Sequence, residues 1–95
     1  IATYGHTPGH TSFLIESQHE QLLIWGDITH AMAIQMPVPD QAVTYDLDPA
    51  QAIASRKAVF KFVSDNTIPI AGAHIAYPGF GFIYIDESTG EYQFK

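Results

Sequence analysis

The sequence has no cysteine, few basic residues and no long apolar run, and each shortage removes a class of function. Without cysteine there are no disulfides and no thiolate metal ligands, and redox chemistry says nothing about compartment. Lys and Arg number 4 against 10 Asp and Glu, a formal charge of −6. A protein that grips nucleic acid needs cations to displace the counterions of the phosphate backbone, and anionic membranes ask for the same, so neither is expected as a partner. No stretch approaches the roughly 18 apolar residues of a membrane-spanning helix. Ile1-Ala2-Thr3-Tyr4 reads as the middle of a strand and not as a signal peptide.

What is present is an ordinary globular composition. Hydrophobic residues make up 46% of 95 positions, too apolar for disorder and enough for one modest core. There is no initiator methionine. A chain that opens inside an apparent strand is expected to be part of something longer; a processed mature protein is the alternative.

Thr11–Ile15 reads as a strand and Gln21–Trp25 as a second, joined by a longer polar loop over residues 16–20. Leu22-Leu23-Ile24-Trp25 is apolar throughout, which predicts burial on both faces. Residues 28–47 lack a clean period and hold Pro37 and Pro39, so this stretch reads mostly as loop. A helix follows, with Asp48 as N-cap, Pro49 in the first position and Gln51 completing a capping-box-like pattern. Ile53, Phe60 and Val63, flanked by Ala52, Val59 and Phe62, form its apolar stripe, and Arg56, Lys57, Lys61 and Ser64 are expected outside. Asn66 is the expected left-handed stop. Thr67–Ala71 reads as a short buried strand, and Gly81–Asp86 with Glu91–Phe94 as a terminal hairpin.

Three polar residues share one kind of position. His6, Asp27 and His74 each follow an apolar run that ends near a glycine, at Gly5, Gly26 and Gly72. Sheets place ligands at strand ends, and glycine lets the backbone turn sharply there. Two imidazoles and a carboxylate suit zinc, iron or manganese, and a carboxylate can bridge two ions. Taken singly, a histidine beside a strand is more often a hydrogen-bonded structural residue, and an aspartate after one is more often a turn former or cap. Their spacing is not a local motif.

Gly5-His6-Thr7-Pro8-Gly9-His10 is similar to the HTxGH motif of the metallo-β-lactamase superfamily. Trp25-Gly26-Asp27 resembles its later GD motif, and Ala73-His74 through Pro78-Gly79-Phe80-Gly81 its final AHxxxPGxG motif, all in the family's order. The stretch through Gln35-Met36-Pro37, Tyr45-Asp46 and Asp48-Pro49 resembles the branch with methyl parathion hydrolase and the quorum-quenching lactonases. The resemblance implies an α+β fold: residues 1–95 as the second, C-terminal half of an αββα sandwich, a mostly antiparallel sheet with one main helix. It implies two divalent metal ions, zinc foremost, in the whole protein. His6 would ligate one, His74 the other, and Asp27 would bridge them. His10 would be structural, fixing the loop that aims His6. His19 and His30 match no ligand position, and His19 reads as a solvated turn residue. Tyr77, Phe80 and Met36 are candidate pocket residues, though each is more often plain packing.

The sequence departs from the family in lacking the N-terminal HxHxDH motif. Three ligands for two metals is too few, since a catalytic zinc wants three protein ligands and a water. The resemblance therefore implies a metal-dependent hydrolase of ester, lactone or organophosphate small molecules, using metal-activated hydroxide, with the 95-residue chain alone inactive and binding metal weakly or not at all. The alternative is a non-catalytic binding or scaffold module of the same fold. The expected partner is the N-terminal half or a second copy in a homodimer.

Overall fold

The computed structural model describes residues 1–95. Two short antiparallel strands open it, β1 (Phe13–Ser17) and β2 (Glu20–Ile24), paired from Phe13↔Ile24 to Ser17↔Glu20. Their connection is tighter than the composition suggests. Gln18 and His19 alone link them, at φ 50° and 69°, and positive φ at both residues matches the twist of the flanking strands. Upstream, Ile1–Tyr4 forms no ladder; it makes one antiparallel bridge, Ala2 to Thr11.

β2 pairs in parallel with β3 (Ile70–Ala71), and β3 pairs antiparallel with β4 (Phe80–Gly81), giving the order β1-β2-β3-β4. β5 (Ile83–Ile85) and β6 (Tyr92–Phe94) form a separate hairpin. The fold is thus α+β and mostly antiparallel. The long connection between β2 and β3 holds a four-residue turn of helix, α1 (Met32–Gln35), within the stretch expected as loop, and the main helix α2 (Pro49–Asn66).

α2 starts as its sequence dictates. The Asp48 carboxylate accepts from the Gln51 N–H at 3.1 Å, and Pro49 occupies the first turn, where no N–H is needed. Its end lies one residue beyond the expected stop. Thr67, not Asn66, takes the left-handed conformation at φ 51°, while Asn66 stays helical and donates from Nδ2 to the Phe62 carbonyl. The reason lies in the next residue: Ile68 turns into the core, its N–H bonded to Val63 O.

One contiguous core joins Leu23, Ile70 and Ile83 of the sheets, and Trp25 just past β2, to Val59, Phe60 and Val63 of α2, with Ile28, Met36 and Ile68. Met36 is therefore core packing that also lines a shallow pocket between α1 and β6, away from the histidines. Arg56, expected outside, is 1% exposed. Its guanidinium donates to the carbonyls of Ile28, Pro39 and Gln41 at 2.8, 2.9 and 3.2 Å, so burial leaves those donors satisfied.

α2 covers only one face of the four-stranded sheet. The register aligns Phe13, Ile24, Ala71 and Phe80 in a row on the other. Phe13, Ile15 and Phe80 there are 63%, 48% and 57% exposed. Burial on both faces of Leu22–Trp25 therefore does not occur within this chain: Leu23 and Trp25 are buried, and Ile24 faces outward.

Candidate metal centre

Each of the three sequence-selected residues is aimed by a backbone irregularity. Gly5, at φ 137°, lies so close to the first turn of α2 that a Cβ there would sit 2.1 Å from Ala52 N. Only glycine fits, and the chain turns His6 towards the loop before α2. Two backbone bonds hold it there, Leu47 N–H to His6 O at 3.1 Å and Asp48 N–H to Gly5 O at 2.9 Å. Asp27 follows Gly26 at the end of β2, and Gly26 O accepts from Ala73 N–H at 3.1 Å, which brings the end of β3 alongside. His74 comes next, at φ 62°. Positive φ is sparsely populated for a non-glycine residue and clusters at functional positions.

The three side chains converge. His6 Nε2 lies 3.1 Å from Asp27 Oδ2, and His74 Nε2 lies 3.8 Å from Asp27 Oδ1. The two imidazoles thus approach different oxygens of one carboxylate. His10 sits beneath them: its Nε2 accepts from the Asp27 N–H at 2.9 Å, and its Nδ1 lies 2.9 Å from Thr3 Oγ1 and 3.1 Å from Thr3 O. It holds the Asp27 backbone directly, while the His6 loop is held by residues 47 and 48.

Two further residues enter the site that sequence reasoning did not select. His30 Nε2 is 3.7 Å from Asp27 Oδ2, and its ring lies 4.7 Å, centre to centre, from those of both His6 and His74. The loop carrying it is fixed by buried Gln35, whose Oε1 accepts from the N–H groups of His30 and Ala31 and whose Nε2 donates to Gln41 O. Asp46, its side chain fully buried, places Oδ1 3.1 Å from His6 Nδ1. Neither residue stands at a strand end; Tyr45-Asp46 belongs to the stretch that resembles the lactonase branch, but no ligand role attaches to it there, and nothing in the aperiodic loop marks His30. Burial holds His30 below the ordinary imidazole range, helped by the charges of His6 and His74 and opposed by Asp27 and Asp46. Burial likewise lowers Arg56, with Asp46 opposing.

The donor set fits a metal. One ligand atom each from Asp27, His30 and His74 lie within 4.8 Å of one another, as do those of His6, His30 and Asp46. His6 has the arrangement expected of a ligand, one ring nitrogen on a carboxylate and the other facing the cluster. His30 does not, for its buried Nδ1 has no partner. An open cavity of about 490 Å³ between α2, β2 and the first residues carries no titratable side chain and lies apart from this cluster. His19 lies far along the chain fold from it, in the β1–β2 turn, and Tyr77 is 99% exposed in the loop after His74.

No protein-family model matches the sequence, and no curated protein matches it. Solved structures do. The hydrolase AbOPH, of the beta-lactamase superfamily, superimposes with a TM-score of 0.92 at 36% identity, over 99% of this chain and 32% of its own. AidC, a dizinc quorum-quenching lactonase in complex with the product N-hexanoyl-L-homoserine, does so with a TM-score of 0.92 at 32% identity, over 100% and 32%. This chain therefore spans about a third of the length of either.

Proposed function

From a chain that belongs to the metallo-β-lactamase superfamily, we propose part of a dinuclear metal-dependent hydrolase acting on a small ester, lactone or organophosphate. One observation carries this reading: His6 and His74 approach opposite oxygens of Asp27. A carboxylate so placed can bridge two ions, each also held by one imidazole. The likeness to a dizinc lactonase supports zinc. The remaining ligands would come from outside residues 1–95, either from an N-terminal half of the same protein or from a second copy.

When bound, a metal pair supplies Lewis acidity and a water acidic enough to ionise near neutral pH. This chain's residues do the rest. Asp27 and the two imidazoles fix where that chemistry happens, and His10 fixes Asp27 through its backbone. His30, whose pKa burial lowers, offers the site an imidazole that takes up a proton, and with it a positive charge, less readily than a free histidine.

The test is metal analysis and turnover on the full-length protein that contains this chain. Near two equivalents of metal, with hydrolysis of an aryl ester, a lactone or an organophosphate that Asp27→Ala abolishes, supports the proposal. A protein that binds no metal and turns over none of these substrates is instead a binding module on a hydrolase fold.

A further inference from the structure

We infer that Asp46 is a positioning residue that prepares His6 to bind metal through Nε2, an inference that rests on the metal-centre reading above. Its carboxylate is fully buried, and both oxygens are committed. Oδ1 faces His6 Nδ1 at 3.1 Å. Oδ2 accepts from the Val43 N–H at 3.3 Å and faces Arg56 Nη2 at 3.8 Å. Arg56 cannot drift, because three backbone carbonyls hold it. Nor can His6 and Asp46 slide apart, because the Leu47 and Asp48 N–H groups bond to the carbonyls of His6 and Gly5.

Beside the Arg56 guanidinium and under the Val43 N–H, the Asp46 carboxylate stands as an acceptor. The hydrogen facing it must therefore be on Nδ1, which leaves the Nε2 lone pair directed at the cluster around Asp27. His30 provides the internal contrast. Its ring is as close to the cluster, but nothing partners its Nδ1, so nothing selects its tautomer. The chain thus fixes the tautomer of His6 and leaves that of His30 unselected.

The same geometry says what an amide would do. Asparagine at position 46 has one oxygen, and Val43 N–H and Arg56 both demand it at the Oδ2 place. Its NH₂ group would then point at His6 Nδ1 and donate, driving the proton to Nε2 and silencing the ligand, as wrong-tautomer substitutions do in other catalytic histidines.

The experiment uses the full-length protein, first with metal removed. ¹⁵N NMR of the histidine side chains reads the His6 tautomer in native protein and in Asp46→Asn, and chelator competition reads the affinity for zinc alone. We expect Nδ1–H on His6 in the native protein, Nε2–H in Asp46→Asn, and zinc binding about 10–100-fold weaker in the variant. An unchanged tautomer with unchanged zinc affinity overturns the inference, as does Nε2–H on His6 in the native protein. The second result needs no variant, so it decides even if Asp46→Asn does not fold. If native protein binds no zinc, the metal-centre reading fails, while the tautomer still reports whether Asp46 governs His6.

Discussion

The backbone N–H of Asp27 donates to His10 Nε2 at 2.9 Å, tying the end of β2 to the segment that carries His6. Because Nε2 accepts, the ring proton sits on Nδ1, where Thr3 O accepts it. Gly26 makes room for this contact: a Cβ at its φ of 58° would stand 2.8 Å from His10 Nε2. His10→Ala would strand the Asp27 N–H, at a cost of about 1–3 kcal/mol. Gly26→Ala adds left-handed backbone strain to the same broken bond and should cost at least as much. Urea unfolding of both variants measures this. Native stability in Gly26→Ala would show that His10 does not hold Asp27.

Arg56 supports the opposite side of the site. Its partners are three carbonyls and the buried Asp46 carboxylate, so Arg56→Met leaves a buried charge without its counter-charge. Breaking a buried pair from one side typically costs about 3–5 kcal/mol. The midpoint of urea unfolding should fall accordingly. Arg56→Met combined with Asp46→Leu should recover part of the loss, because no lone charge remains. A double variant less stable than Arg56→Met would contradict this account.

Local rules made much of this molecule legible beforehand. The N-terminus of α2 follows from Asp48 and Pro49, and the strand ends of Asp27 and His74 follow from apolar runs closing on glycine. What was not legible depends on contacts between distant segments. Arg56 looks like a surface residue on a helical wheel, and only the loop carbonyls of Pro39 and Gln41 turn it into a buried one. His30 and Asp46 reach the site because residues 28–47 fold over α2, and that stretch has no period to read. The Gln18-His19 turn was hidden too, since neither residue is the asparagine or glycine that usually marks positive φ.

His30 gives a pH dependence whose sign can be worked out. Burial first, then the His6 and His74 charges, places its folded pKa below the ordinary value of 6.5. At pH above that value, His30 is neutral in both states and contributes no slope. As pH falls below it, the unfolded chain takes up the proton first, and native stability declines until the depressed folded value is passed. In EDTA, the unfolding free energy should therefore drop less between pH 8 and pH 5.5 in His30→Asn than in the native sequence. Equal drops would show that His30 titrates alike in both states.

Metal retention should separate residues 1–95 alone from a protein in which an N-terminal half joins them. Were His6, Asp27 and His74 to hold two ions between them, as proposed, most coordination positions would fall to water, and a chelator would compete easily. Zinc added to the 95-residue chain should be lost on dialysis against EDTA, whereas the full-length protein should keep it longer. An EDTA-resistant, stoichiometric ion on the short chain would mean that this chain, or a second copy of it, already completes a site.

The exposed sheet face decides whether a second copy is available. Phe13, Ile24 and Phe80 stand in one row across the strands, and Ile15 lies two residues along β1 from Phe13 on the same side. α2 packs on the opposite side, so nothing in residues 1–95 covers this row. At about 25 cal/mol per Å², leaving a few hundred Å² of it in water costs several kcal/mol, and patches of that size on soluble proteins mark an interface. A two-fold pairing of the face with itself is self-complementary and closes. The purified 95-residue chain should therefore sediment as a dimer. Phe13→Glu with Ile15→Lys should sediment as a monomer and melt at a lower, concentration-independent temperature, because the pairing that stabilises the native chain is lost while the core on the other face is untouched. A protein in which an N-terminal half covers this face would instead need both residues for folding. A native 95-residue chain that is monomeric at every concentration and binds no hydrophobic dye would show the row to be tolerated in water, and the case for a second sheet packed against it would fall.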